Sequence, residues 1–174
     1  MQNHFELFQL PPGFVVDLAA LDVAFREVQS QVHPDKFVQA PAAEQRVAMQ
    51  WAIRANEAYQ VLKNPLQRAR YLCELHGQAL DAESNTAMPV PFLMQQMAWR
   101  EALQEARQTK DEAALNQLET ELQAQQRELH QSLGQHFDDH NYVAAANLVR
   151  CLMFVAKFGE EVAQAFDALH DEQG

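Results

Sequence analysis

The chain is predicted to be all-α and divided into two domains, on three observations. Its 174 residues include only five glycines and are rich in Ala, Leu, Gln and Glu, a helical rather than a stranded composition. Apolar residues recur at three- and four-residue spacing along most of the chain. That pattern breaks at a polar, proline-bearing stretch from Gln78 to Pro91, and no repeat relates the two sides.

His4 to Leu10 places Phe5, Leu7, Phe8 and Leu10 in a short apolar run stopped by Pro11-Pro12-Gly13, a helix of one or two turns. Asp17 has the acceptor side chain of an N-cap, and Leu18, Leu21, Phe25, Val28 and Val32 follow at helical spacing. This second helix runs to His33, because a proline at 34 disfavours helical dihedrals for the residue before it. Pro41 suits a first helical position, with Glu44 in the first turn where the macrodipole favours a carboxylate. The third helix is expected to turn Val47, Trp51, Ala55, Ala58, Tyr59 and Leu62 inward and to end at Asn64-Pro65. A shorter fourth helix holds Leu66, Ala69, Leu72 and Leu75, and Gly77 supplies a left-handed stop. Residues 1–77 therefore form one domain dominated by a long helical hairpin.

Residues 78–89 read as the linker, and 90–174 as a second domain of three long helices at about 90–107, 111–134 and 138–170. The middle helix carries Ala114, Leu115, Leu118, Leu122, Leu129 and Leu133 in one stripe, with Gly134 as its expected end. The last carries Val143, Leu148, Leu152, Val155, Val162, Phe166 and Leu169. Three such helices with short turns pack as an antiparallel bundle.

Composition narrows the function. A formal charge of −11 argues against nucleic acid as the main partner, since phosphate binding needs clustered Lys and Arg. No run of 18 or more apolar residues suggests a membrane span, and the first residues lack the pattern of a secretion signal or a mitochondrial presequence. Cys73 and Cys151 stand apart inside helical patterns, as reduced, buried thiols of a cytosolic protein would. Only three serines, at 30, 84 and 132, are available as nucleophiles, and no glycine-rich phosphate loop occurs, which disfavours an enzyme.

The most distinctive stretch is His33-Pro34-Asp35, with Lys36 and Phe37 behind it, at the tip of the hairpin. Pro34 fixes its own φ and offers no N–H, so the turn is rigid. Asp35 presents an acceptor-only carboxylate on a short side chain. A catalytic reading of His33 with Asp35 lacks a nucleophile, and a plain capping role for Asp35 does not require His-Pro before it.

This turn, followed by Asn56-Glu57-Ala58-Tyr59-Gln60-Val61-Leu62-Lys63-Asn64-Pro65, resembles the signature of a J domain, the co-chaperone module that stimulates ATP hydrolysis by DnaK-type chaperones. His33-Pro34-Asp35-Lys36-Phe37, Arg68-Ala69-Arg70-Tyr71-Leu72, Leu75-His76-Gly77 and Pro91-Phe92-Leu93-Met94 narrow the resemblance to the HscB type. That family serves iron–sulfur cluster assembly, pairing a dedicated DnaK-type chaperone, HscA, with the cluster scaffold protein IscU. The resemblance implies an N-terminal J domain before the C-terminal three-helix bundle, no cofactor, a monomer, and no enzymatic activity of its own. It also implies that Asp35 engages an arginine of the chaperone while His33 and Pro34 hold the contact, with Lys36 and Arg26 beside them. The chain departs from many J domains in that residues 18–32 offer only Arg26, against Asp22 and Glu27, so electrostatic steering from that helix is weak. Lys36, Arg46 and Arg54 are the remaining basic groups near this face.

The helix at 90–107 has two apolar faces. At about 100° per residue, Phe92, Trp99, Leu103 and Ala106 share one, while Leu93, Met94 and Met97 lie on another that Glu101 and Glu105 continue. One face is core, and Trp99 and Phe92, large and aligned with Leu103, are its better candidates; the residues alone leave the second open between a partner surface and packing on a neighbouring element. The methionines suit an adaptable interface. By the resemblance, the scaffold-binding positions fall on Leu93, Met94, Met97, Glu101, Glu105 and Phe154, the last at the margin of its own helix's core stripe. Ala98 stands where some members have an acidic residue.

Two rivals follow from the same residues. A general J-domain protein for unfolded clients would bind many apolar peptides. A small metal enzyme would use His130, His136 and His140 with Asp138 and Asp139, but their spacing crosses a predicted turn and no full ligand set is legible.

Overall fold

The computed structural model describes residues 2–80 and 88–171, and every regular element among them is helical. The helices are α1 (His4–Leu7), α2 (Leu18–Val32), α3 (Ala42–Lys63), α4 (Pro65–Leu75), α5 (Val90–Thr109), α6 (Glu112–Asp138) and α7 (Tyr142–Asp171), with a 3-10 turn at Pro34–Phe37. They divide into two compact units, Met1–Leu75 and His76–Gly174. Most of the expected linker falls at 81–87, outside the described residues.

The first unit is held at its helix ends by local hydrogen bonds. Asn3 and Glu6 form a reciprocal capping box on α1, each backbone N–H donating to the other's side chain at 2.9 Å. Asp17 caps α2 as expected, accepting from the N–H groups of Ala19 and Ala20. Pro41 stands one residue before its expected place, as the cap of α3 rather than its first helical residue. Asn64 closes α3, and its side chain accepts from the Gln67 N–H at the start of α4.

The packed stripe of α3 differs from the one expected. Ala48, Ala55, Ala58 and Leu62 are buried, whereas Val47 is 52 % and Trp51 36 % exposed. Three alanines take inward positions and the bulkier residues lie to the flank; the Arg54 guanidinium lies 5.2 Å from the centre of the Trp51 ring. Tyr59 is half-buried, stacked on Phe25 at 4.1 Å, and donates to Asp22 at 2.7 Å, which binds α3 to α2. Arg68, on α4, is buried and donates to the carbonyls of Phe14 and Leu62. It thereby satisfies one of the C-terminal carbonyls that the end of α3 leaves open. Burial pulls its pKa down, against the direction the two carbonyls favour.

The second unit is an antiparallel three-helix bundle. Its core joins Phe92, Trp99 and Leu103 of α5 to Leu115, Leu118, Leu129 and Leu133 of α6 and Val149, Leu152, Phe158 and Val162 of α7. The buried indole of Trp99 donates to Glu121 at 3.0 Å, so its polar edge is satisfied. Gly134 does not end α6: it is buried inside the helix, which continues through buried Phe137 to Asp138. One interior glycine costs only about 1 kcal/mol, less than burying another aromatic returns. The real stops are Lys110 and His140, both left-handed at φ 55°, each followed by a side-chain cap, from Asp111 and Asn141. Val143 is exposed rather than part of the α7 stripe. Helix α7 is long and apolar enough by composition to cross a membrane, but Val149, Leu152, Val155, Phe158 and Val162 along it are buried in the core of the bundle.

Candidate functional site

The hairpin tip is built from the residue types that force it. His33 leaves α2 in an extended conformation, φ −60° and ψ 128°, as the following proline demands. Pro34 then opens the 3-10 turn, whose Lys36 N–H donates to the His33 carbonyl at 3.0 Å. The ring Nδ1 of His33 accepts from the Asp35 N–H at 3.3 Å and lies 3.6 Å from Oδ2 of Asp35. The His33 side chain is 55 % and that of Asp35 85 % exposed, with Pro34 and Lys36 also at the surface. Behind the turn, Gln45 of α3 donates to the carbonyls of Val38 and Ala40, tying the following loop to the hairpin. His33 thus orients the backbone under Asp35 while the carboxylate stays open to solvent. Arg26 is exposed on α2, its Nε donating to the Asp22 carbonyl one turn back. Ser30 donates to the Glu27 carbonyl, so the serine nearest in sequence is engaged with its own helix.

The second site is the outer face of α5. Phe92, 8 % exposed, and Trp99 turn inward, whereas Met94 and Met97 are 66 % and 64 % exposed and Leu93 is half-buried. Val90, Glu101 and Glu105 are exposed on the same side as the methionines by helical spacing. Within the second unit, the Leu93–Met97 face is therefore not core. Phe154 of α7 is half-buried in a ring cluster with Phe92 at 5.9 Å, Trp99 at 6.4 Å and Phe158 at 5.7 Å. The guanidinium of Arg100 lies 5.5 Å from the centre of the Phe154 ring. Phe154 is thus a half-buried structural member of the bundle.

The histidines considered as metal ligands are arranged otherwise. His140 Nδ1 is 3.0 Å from the hydroxyl of Tyr142, on whose ring His76 stacks at 3.7 Å. Among the described residues no group of three or more His, Cys, Asp or Glu is placed to hold a metal ion. Cys73 and Cys151 are both buried and not in disulfides, and burial pushes the Cys151 thiol up to about 11. Sequence reasoning missed the buried role of Arg68 and the ring cluster around Phe154; only the Arg68 motif carried a signal, and that by resemblance.

An exposed His-Pro-Asp turn between two helices, in a unit followed by a separate three-helix bundle, is the arrangement that the resemblance to J-type co-chaperones implies. Comparison with known proteins agrees in both halves. A family model described as the HscB C-terminal oligomerisation domain matches residues 88–163. A co-chaperone protein HscB homolog of Cupriavidus taiwanensis is 52 % identical over 169 residues, covering 97 % of this chain and 96 % of the relative. The chaperone HscB from Vibrio cholerae superposes with a TM-score of 0.82 at 39 % identity, covering 96 % of this chain and 99 % of that one. Human co-chaperone protein HscB superposes at 0.88 with 27 % identity, over 94 % of this chain and 82 % of the other. The chain belongs to the HscB family of co-chaperones, and with it to iron–sulfur cluster assembly.

Proposed function

We propose that this chain brings an IscU-like cluster scaffold to an HscA-like DnaK-type chaperone and stimulates that chaperone's ATPase. The observation that carries the reading is the solvent-open Asp35 carboxylate on a turn already held by Pro34 and His33. A carboxylate so placed suits bidentate pairing with an arginine, a contact that depends strictly on geometry and therefore suits a trigger. The co-chaperone performs no chemistry: contact made only with the hydrolysis-competent state shifts the chaperone's population toward it. Residues 1–77 act as the J domain, with Lys36 and Arg26 flanking the trigger, and 90–174 act as the scaffold-binding domain. In the latter, Leu93, Met94 and Met97 form the apolar centre of the scaffold contact, Phe154 borders it, and Glu101 and Glu105 form its charged rim. The protein acts as a cytosolic monomer in this scheme.

The test is single-turnover ATP hydrolysis by the cognate chaperone, with scaffold affinity and circular dichroism measured on the same samples. His33→Gln and Asp35→Asn should each abolish stimulation and leave helicity and scaffold affinity unchanged. Full stimulation by either folded variant rejects the trigger. Equal affinity for the scaffold and for unrelated apolar peptides would favour a general client role instead.

A further inference from the structure

The α6–α7 pair carries a groove of about 350 Å³ to which no residue of α5 contributes. Leu122, Val155, Val162 and Phe166 supply its apolar floor. Ala156, Gly159 and Ala163, at successive turns of α7, leave its α7 wall low. Gly159 is the informative residue. A Cβ built there meets nothing within 4 Å, and Gly159 is not among the residues with positive φ. Neither packing nor backbone conformation within the chain asks for glycine in the interior of this helix, where it is less stable than alanine. Glycine does permit the close approach of another backbone.

The chemistry of the occupant follows from shape and charge. From Ala156 to Asp167 the groove runs eleven residues along α7, about 16 Å, which matches about three turns of a helix laid alongside. A helix in that place would cover the open side of the α6–α7 pair as a fourth helix does in a bundle. The charged side chains in the lining are Glu119 and Asp167, both acidic. The whole stretch from His76 to Gly174 holds six Lys and Arg against sixteen Asp and Glu. A second copy of this unit would bring like charge to like, whereas a basic segment is drawn in. We propose that the α6–α7 groove around Gly159 docks a basic amphipathic helix of a partner protein, in the helix-in-groove mode. This surface is separate from the Met94–Met97 face of α5.

The test uses the full-length protein and a fluorescent 14-residue Leu/Lys amphipathic peptide, with a Leu/Glu peptide of the same pattern as comparison. Binding is read by anisotropy and mapped by amide chemical shifts. The Leu/Lys peptide should bind and shift the amides of 156–163. Gly159→Leu, which fills the groove, should weaken it at least tenfold with no loss in thermal midpoint. Ala163→Gln, at an exposed position, should also weaken it, so the result does not rest on one variant. Glu119→Gln with Asp167→Asn should weaken it at least threefold. Unchanged binding by Gly159→Leu and Ala163→Gln overturns the proposal, as do equal binding of the Leu/Glu peptide or shifts confined to the Met94–Met97 face. So does a concentration-dependent dimer in sedimentation that Gly159→Leu dissolves, since the occupant would then be a second copy.

Discussion

Replacing Met97 by alanine separates the two roles that an apolar residue on α5 can have. Full burial of a methionine side chain is worth about 1.5–3 kcal/mol. Met97 is 64 % exposed, so truncation forfeits only the buried third, under about 1 kcal/mol. Alanine is also the better helix former, which offsets part of that loss. In the proposed scaffold contact Met97 is central, and such an anchor costs about 2 kcal/mol when truncated. That is about a thirtyfold rise in Kd, at about 1.4 kcal/mol per decade. Phe92→Ala is the opposite case: it removes a ring that is 8 % exposed and should cost about 3–5 kcal/mol of stability. Isothermal titration with the scaffold and thermal unfolding on the same samples read both quantities. Phe154→Ala should move both, because its ring neighbours include Phe92, Trp99 and Phe158. A fall in the midpoint of Met97→Ala by more than about 8 °C, with unchanged scaffold affinity, would refute the reasoning.

Three further outcomes are expected. Arg68→Ala removes charge-assisted hydrogen bonds to the Phe14 and Leu62 carbonyls and should cost about 2–3 kcal/mol in chemical denaturation. His4 has its pKa lowered, first by burial and then by Arg54, so the unfolded chain takes up its proton more readily than the native one. Its contribution to stability is full above 6.5 and is lost as pH falls from there through the folded value, a slope that His4→Phe should flatten in urea titrations. The Cys151 thiol, at about 11 and buried, should resist iodoacetamide at pH 8 until the second unit unfolds, as mass spectrometry across a denaturant series would show.

The helices were legible because their ends carry local chemistry. Asp17 and the His33-Pro34 boundary act within a few residues of themselves, and Gly77 takes the left-handed φ of 73° expected of a stop. Errors arose where distant packing decides. Val47 and Trp51 fit a helical stripe as well as Ala48 and Ala55 do, and only the tertiary packing around α3 decides that the small side chains are the buried ones. Gly134 looked like a terminus because glycine is the usual stop, yet α6 continues because the buried Phe137 beyond it returns more than the glycine costs. Lys110 and His140, non-glycine residues, occupy the left-handed stops and gave no such signal. At the candidate sites the turn was fully legible, since Pro34 dictates it from its own covalent structure. The two faces of α5 were legible as a pair, and so was the core one, since Phe92 and Trp99 are large, align with Leu103 and are buried; the Trp99–Glu121 hydrogen bond and the ring cluster with α7 carried no sequence signal.

The fastening of residues 76–80 changes what the polar stretch after Gly77 means as a polymer. His76 stacks on Tyr142, and the Ala79 carbonyl accepts from Arg150 at 2.8 Å, so this segment is moored to the second unit. On its far side, Met88 Sδ accepts from Gln96 of α5. Both flanks of 81–87 therefore belong to one unit, so residues inserted there add chain within that unit and none between the two units. Doubling the length of chain between those two described anchors should cost about 0.6 kcal/mol of closure entropy in the second unit. The covalent distance from Asp35 to the start of the second unit would stay the same, so no effective concentration set by that distance would be diluted.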